Sequence, residues 1–157
     1  MKIFIGSDHA GFELKRELVA FLSEVGNEVI DCGPEKYNHE DDYPDYCSIV
    51  AENIYRDQDA HSTGSGQAKG IVIGWSGQGE AMITNRYPKV RCAVFYGGPK
   101  HVLTLSREHN DANILSLGAH FLTSREARHA VELWLGTEFS GDERHIRRIE
   151  KIEEITT

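Results

Sequence analysis

Short apolar runs alternate along the chain with longer stretches in which apolar residues recur every three or four positions. The runs are rich in Val and Ile and lie at 2–6, 28–31, 70–73, 91–95 and 113–117, which predicts five short buried strands. The spacing between the runs predicts helices at 11–25, from Tyr43, at 79–86, 99–107 and 124–135, and in a strongly charged last segment at about 142–155.

This alternation is typical of an α/β fold. It predicts one domain over 1–157, in which a mainly parallel five-stranded sheet has helices on both faces in a three-layer, Rossmann-like arrangement with a C-terminal helix. The polar, glycine-bearing segment at 57–69 is predicted to be a surface loop. Ligands of such sheets bind at the carboxyl ends of the strands, so residues that end the first, third and fourth strands are the first site candidates.

Composition and charge exclude several classes of function. The chain is 39% hydrophobic, and no apolar stretch approaches the ~20 residues that span a bilayer, so we expect no membrane role. No export signal is visible at the amino terminus, which favours a cytoplasmic protein. The net charge of −8 argues against nonspecific binding of nucleic acid. Cys32, Cys47 and Cys92 are widely spaced without a C-x-x-C pair and suggest neither a disulfide framework nor a metal site.

Two polar residues follow the first predicted strand directly. Asp8 and His9 are therefore expected to project from the strand end into the ligand crevice. The alternative for Asp8 is a local role, in which its side chain caps the first helix.

The stretch "GWSGQGE" at 74–80 follows the third predicted strand in the same way. Gly77 and Gly79 allow a close backbone approach, and N–H groups exposed at the start of a helix are suited to an anion or an oxyanion. The stretch is not a nucleotide loop, because Glu80 stands where the phosphate-binding motif has lysine and Met82 replaces the third glycine of the dinucleotide motif. Alternatively, Glu80 only stabilises the helix dipole.

Basic candidates lie nearer the carboxyl terminus. His109 ends a predicted helix, where its simplest role is to satisfy the last carbonyl groups. Arg144 and Arg148 are four residues apart on the last predicted helix, so two guanidinium groups could hold one phosphate. The alternative is a solvated charged helix.

Six stretches together resemble one family, the type B ribose-5-phosphate isomerases, which include allose 6-phosphate and galactose 6-phosphate isomerases. The stretches are "GSDHAGFELK" at 6–15, "DYPDY" at 42–46, "GQGEAMITNR" at 77–86, "VRCAV" at 90–94, "REHNDANILSLGA" at 107–119 and "RHIRRI" at 144–149. The resemblance implies interconversion of aldose and ketose sugar phosphates through an enediolate, without a metal or cofactor. It also implies a homodimer or tetramer with a site shared between subunits.

The resemblance also implies a specific base. In many members a cysteine in the loop after the third strand removes the C2 proton, but the matching residue here is Gly74. A second branch, seen in actinobacterial members, has the base at the glutamate of a G-x-G-E pattern, which is Glu80 in this chain.

The other site residues follow from the same resemblance. His109 is expected to help open the furanose ring, Asp8 to act on the ring and the hydroxyl groups, and Ser76 to contact the substrate. Further substrate contacts are expected from His9, Tyr43, Gly77, Gly79, Asn110, Arg144 and Arg148. His120 stands where relatives of the G-x-G-E branch have an arginine, so it would replace that side chain only in part.

Three alternatives remain open at this point. The substrate can be a six-carbon sugar phosphate instead of ribose 5-phosphate. The chain can also be an inactive protein that binds a sugar phosphate or a nucleotide, since Gly74 and His120 depart from the family pattern. The weakest alternative is a redox-active thiol protein, because the chain has no C-x-x-C motif.

Overall fold

A five-stranded parallel sheet forms the centre of the protein. The computed structural model describes residues 1–60 and 67–156. The strands are β1 (Lys2–Ser7), β2 (Glu28–Asp31), β3 (Lys69–Gly74), β4 (Cys92–Phe95) and β5 (Ile114–Gly118). They lie in the order β2-β1-β3-β5-β4, and every pairing is parallel. The central strand β3 is buried along its whole length, which is why it reads as a continuous apolar run and not as an alternating one.

Helices cover both faces of the sheet, which confirms the predicted three-layer α/β fold. The helices are α1 (Phe12–Glu24), α2 (Tyr43–Ala60), α3 (Gln78–Thr84), α4 (His101–Glu108), α5 (Ser124–Leu135) and α6 (Glu143–Thr156). Ile71 and Ile73 of β3 pack in one core with α1, α4 and α5, while Val72 packs in a second core with α2 and α3. Because side chains of a strand alternate between its faces, β3 contributes to both cores.

The predicted loop at 57–69 is partly wrong. Helix α2 continues to Ala60, and β3 begins at Lys69, so the two ends of the segment belong to regular elements. Residues 57–60 contain no glycine or proline, and Gln58 is buried, so nothing local ends the helix before Ala60. Residues 61–66 of the predicted loop lie outside the described residues.

Helix α6 lies beside the ends of the strands, away from both cores. Its inner side carries His145, which is buried, and Glu153, whose carboxylate accepts from Arg91 at 3.2 Å and from the N–H of Lys89 at 2.9 Å. Arg144 and Arg148 are exposed on its outer side. Within the part of the chain that the structure describes, no helix is both long and apolar enough to cross a membrane.

Candidate active site

The ends of three adjacent strands form the first half of the candidate site. Strands β1, β3 and β5 are neighbours in the sheet, and their registers place Ser7 opposite Ile73 and Gly74 opposite Gly118. The residues that follow each strand therefore emerge at the same edge. We call this end of the sheet the carboxyl edge and the opposite end the amino edge.

The loop after β3 is held in one conformation by its own backbone and by β5. Gly77 has φ of +77° and precedes the first residue of α3, a conformation that disfavours any side chain. Its carbonyl oxygen accepts a hydrogen bond from Ser116 Oγ at 2.6 Å, and the N–H of Gln78 donates to Ser76 Oγ at 3.3 Å. Ser116 was not among the site residues predicted from the sequence, although it is the one polar residue in the buried strand "ILSLG".

Glu80 lies in the first turn of α3 and is only 4% exposed. Its carboxyl group fills the space beside the Cα of Gly74, where any Cβ would overlap with it. Burial is the main reason why the pKa of Glu80 is raised, and the nearby Asp8 raises it further, while a backbone N–H opposes both. Burial therefore outweighs the backbone hydrogen bond, which favours the ionised form.

Asp8 and His9 lie next to this carboxylate, after β1. Asp8 is 7% exposed and accepts a hydrogen bond from the N–H of Ala10 at 3.0 Å. It therefore caps the short 3-10 turn His9–Gly11 that precedes α1 and not α1 itself, whose N-cap residue is Gly11. The cap does not remove Asp8 from the crevice, because its charge still raises the pKa of Glu80. Burial also raises the pKa of Asp8 itself.

His9 is held by an acidic partner that the sequence analysis missed. Its Nδ1 atom and its backbone N–H both lie 2.8 Å from Oδ1 of Asp41. This hydrogen bond raises the pKa of His9 and favours a cationic ring, which suits a residue expected to face a phosphate. The polar ligand atoms of Asp8, His9 and Asp41 lie within 4.8 Å of one another, a spacing that a metal ion could use. The direct bond between His9 and Asp41 already accounts for the grouping.

Two aromatic residues line the sides of the carboxyl edge. The ring of Tyr43, at the start of α2, lies against Gly79, where an added Cβ would be 2.7 Å from the Tyr43 hydroxyl oxygen. Trp75 is 58% exposed and stacks on His120, with ring centroids 3.9 Å apart and an angle of 14° between the planes. His120 also donates its backbone N–H to the Trp75 carbonyl at 3.1 Å, so the two residues form one rigid rim.

The remaining predicted residues lie at the amino edge. His109 caps the end of α4, and Asn110 follows it, both just before β5 begins at Ile114. Because β5 runs parallel to β1 and β3, its first residue is at the end opposite to Glu80. The ring of His109 stacks on His145 of α6 with centroids 4.2 Å apart, which brings Arg144 and Arg148 to the same edge. One subunit therefore separates the predicted site into two halves.

The three cysteines have the properties of unreactive thiols, with Cys47 buried and Cys32 and Cys92 half-buried. Burial raises the pKa of Cys32 to about 11 and that of Cys92 to about 12, and it raises the pKa of Cys47 as well. A reactive cysteine needs a lowered pKa, because the thiolate is the reactive form. This electrostatic environment argues against both a thiolate base and a redox-active thiol.

One family of known proteins matches almost the whole chain. Residues 3–152 match the model of the ribose/galactose isomerase family. The chain belongs to this family. The matched range includes Asp8 at the carboxyl edge and Arg148 at the amino edge, so both halves of the candidate site lie in the part shared with the family.

Relatives in the ribose/galactose isomerase family match nearly the whole chain. The ribose-5-phosphate isomerase B of Mycolicibacterium paratuberculosis is 38% identical over 154 residues, 98% of this chain and 91% of that protein. The solved structure of ribose-5-phosphate isomerase B from Clostridium thermocellum has a TM-score of 0.86 at 42% identity and covers 99% of this chain and 97% of that one. The Mycoplasma genitalium enzyme, solved with bound ribulose 5-phosphate, has a TM-score of 0.88 at 34% identity, with coverage of 98% and 95%.

Proposed function

We propose that this protein interconverts ribose 5-phosphate and ribulose 5-phosphate, with Glu80 as the base. The observation that carries the proposal is the buried carboxyl group of Glu80, packed beside Gly74 at the carboxyl edge of a parallel sheet. Relatives named ribose-5-phosphate isomerase B support the choice of substrate. The substrate is a soluble metabolite, and we expect the protein in the cytoplasm.

Glu80 has the environment that the proton transfer requires. In open-chain ribose 5-phosphate, the carboxylate removes the C2 proton, the C–H electron pair forms the C1–C2 double bond, and the carbonyl electrons move to O1. The protonated Glu80 then returns the proton to C1 while the O2 hydroxyl proton is transferred to the negatively charged O1, so that O2 becomes the ketone oxygen and O1 becomes a hydroxyl group. A base that must also act as an acid works best with a pKa near the working pH, and burial moves the pKa of Glu80 in that direction.

The glycine loop stabilises the enediolate in this proposal. The first N–H groups of α3, after Gly77, have no partner within the helix and can donate to a substrate oxygen. Ser76 and Tyr43 flank the same loop and orient the hydroxyl groups. Asp8, beside the base, assists ring opening from the carboxyl edge.

The phosphate is held by the other half of the site, which comes from a second copy of the chain. His109, Asn110, Arg144 and Arg148 lie at the amino edge of their own subunit, too far around the sheet to join its Glu80. A homodimer that faces the amino edge of one copy to the carboxyl edge of the other forms two complete sites. His9 and His120 then complete the phosphate contacts, and a tetramer would be a pair of such dimers.

A coupled assay of ribose 5-phosphate, with allose 6-phosphate run in parallel, tests the function. We expect a kcat/KM for ribose 5-phosphate at least ~10-fold above that for allose 6-phosphate. A pocket typically distinguishes two substrates that differ by one carbon by about this factor. Faster turnover of allose 6-phosphate would assign the six-carbon substrate instead. Saturable binding of ribose 5-phosphate without turnover would identify an inactive homologue.

A further inference from the structure

A cavity lies at the amino edge, at the end of the sheet opposite to Glu80. It has a volume of about 730 Å³ and is bounded by the start of β3, the ends of α2 and α5, and the inner side of α6. Cavities of this size hold small organic molecules in other proteins. The proposed isomerase chemistry uses none of its buried polar groups.

One buried hydrogen-bond donor in this cavity has no acceptor, and a buried lysine lines the same cavity. Lys69, the first residue of β3, is 7% exposed, and Gln58 near the end of α2 is 9% exposed. Within residues 1–60 and 67–156, Nε2 of Gln58 is buried and has no hydrogen-bond partner. Buried polar groups in folded proteins are nearly always paired, so the unpaired Gln58 amide indicates a missing acceptor in this cavity.

The other buried cations of the cavity are already neutralised. Arg91 binds Asp111 at 3.0 Å and Glu153 at 3.2 Å, and Arg107 binds Asp111 at 2.8 Å. Lys69 is the remaining buried cation that lines the cavity. Burial, followed by the charge of Arg107, lowers the pKa of Lys69 to about 8, although Asp111 opposes this shift. An anion beside the ammonium group would favour its charged form.

The charge and walls of the cavity restrict the chemical class of this anion. Glu138 and Glu150 also line the cavity and would repel a multiply charged ligand such as inorganic phosphate. Much of the remaining wall is apolar, and the apolar side chains are those of Met1, Leu135, Phe139, Ile146 and Ile149. A single carboxylate on a compact apolar body satisfies both features.

We propose that this cavity is a binding site for a small organic monocarboxylate. The carboxylate accepts hydrogen bonds from Lys69 Nζ and Gln58 Nε2, and the apolar body packs between Phe139 and the inner side of α6. The site is separate from the Glu80 half-site, because it lies at the other end of β3.

Calorimetric titration of the full chain with benzoate tests this site. We expect saturable binding of one benzoate per subunit and at least ~10-fold weaker binding of benzamide, its uncharged analogue, and of inorganic phosphate. Lys69→Met should weaken benzoate binding at least ~10-fold, since it removes a charged hydrogen bond. Lys36→Met, which removes an exposed lysine, should leave benzoate binding unchanged.

A measurement on the unmodified chain avoids any dependence on the stability of Lys69→Met. Acetylation of lysines at pH 8, followed by mass spectrometry, should be slowed by benzoate at Lys69 and not at Lys36. Equal binding of benzamide and benzoate, the absence of saturable benzoate binding, or unchanged acetylation of Lys69 would each overturn the proposal.

Discussion

The carboxyl group of Glu80 occupies the space that a side chain on Gly74 would fill. A Cβ built on Gly74 overlaps with this carboxyl group and would lie 2.8 Å from Oε2. A side chain at 74 and a buried carboxylate at 80 therefore exclude each other. The glycine that departs from the cysteine-bearing members of the family is the feature that makes room for the proposed base.

Gly74→Ala should displace the base without unfolding the protein. The atoms that the new Cβ meets belong to the flexible end of Glu80, so the carboxylate can move while the sheet remains in place. We expect kcat to fall at least ~10-fold, because a small misplacement of a catalytic group is costly. Steady-state kinetics and the circular dichroism spectrum measure the two effects. Wild-type kcat in a folded Gly74→Ala protein would contradict the assigned position of the base.

A cysteine at 74 should partly replace the glutamate. In the double variant Gly74→Cys with Glu80→Ala, the new thiol occupies the space that the carboxylate vacates. We expect turnover at least ~10-fold above that of Glu80→Ala alone, because a positioned base contributes at least this much. Iodoacetamide should abolish the gain while leaving wild-type activity intact, since burial raises the pKa of the native cysteines. Equal activity of the double variant and of Glu80→Ala would show that a cysteine at 74 does not replace the glutamate.

Glu80 should also destabilise the protein at neutral pH. Its pKa is raised in the folded state, so folding favours the protonated form, and stability falls as the pH rises through that raised pKa. Glu80→Gln should therefore have a higher Tm than the wild type at pH 7, and the difference should shrink near pH 3, where the carboxyl is protonated in both states. Thermal melts at the two pH values measure this. A lower Tm for Glu80→Gln than for the wild type at pH 7 would contradict the claim that burial of the ionised Glu80 carboxyl destabilises the protein.

Mixed dimers should recover activity if the site is shared. Glu80→Gln and His109→Ala subunits are each expected to be inactive alone. A mixed dimer has one site with both defects and one intact site, so random exchange of subunits should restore about a quarter of the wild-type sites. Activity after co-refolding of the two variants measures this. No recovery, with dimers formed, would mean that each site belongs to one subunit.

The periodicity of the chain predicted the fold well because the signals were local. The run at 70–73 differs from β3 by one residue at each end, and the residues after β1 and β3 emerge at the expected edge. The bond between His9 and Asp41 was not predictable, because it joins residues 32 positions apart through a segment without regular spacing. The contact between Gly74 and the Glu80 carboxyl group was not predictable either, because a glycine in a sequence does not show which group fills the space of its missing side chain.

The separation of the site into two halves has a similar explanation. Strands β3 and β5 run in the same direction. Residues before β5 and residues after β3 therefore lie at opposite ends of the sheet. His109 and Glu80 were grouped by the resemblance, which also implied a site shared between subunits, and the strand directions place the two residues at opposite ends of one subunit.

Exchange of the C2 proton of ribose 5-phosphate in D₂O tests the role of Glu80 most directly. NMR follows the loss of the C2–H signal without requiring product release, and Glu35→Gln, at an exposed glutamate, is the matched control. We predict that Glu80→Gln slows this exchange at least ~100-fold, the contribution of a general base, while Glu35→Gln leaves it unchanged. Exchange at the wild-type rate in Glu80→Gln would show that another group removes the proton.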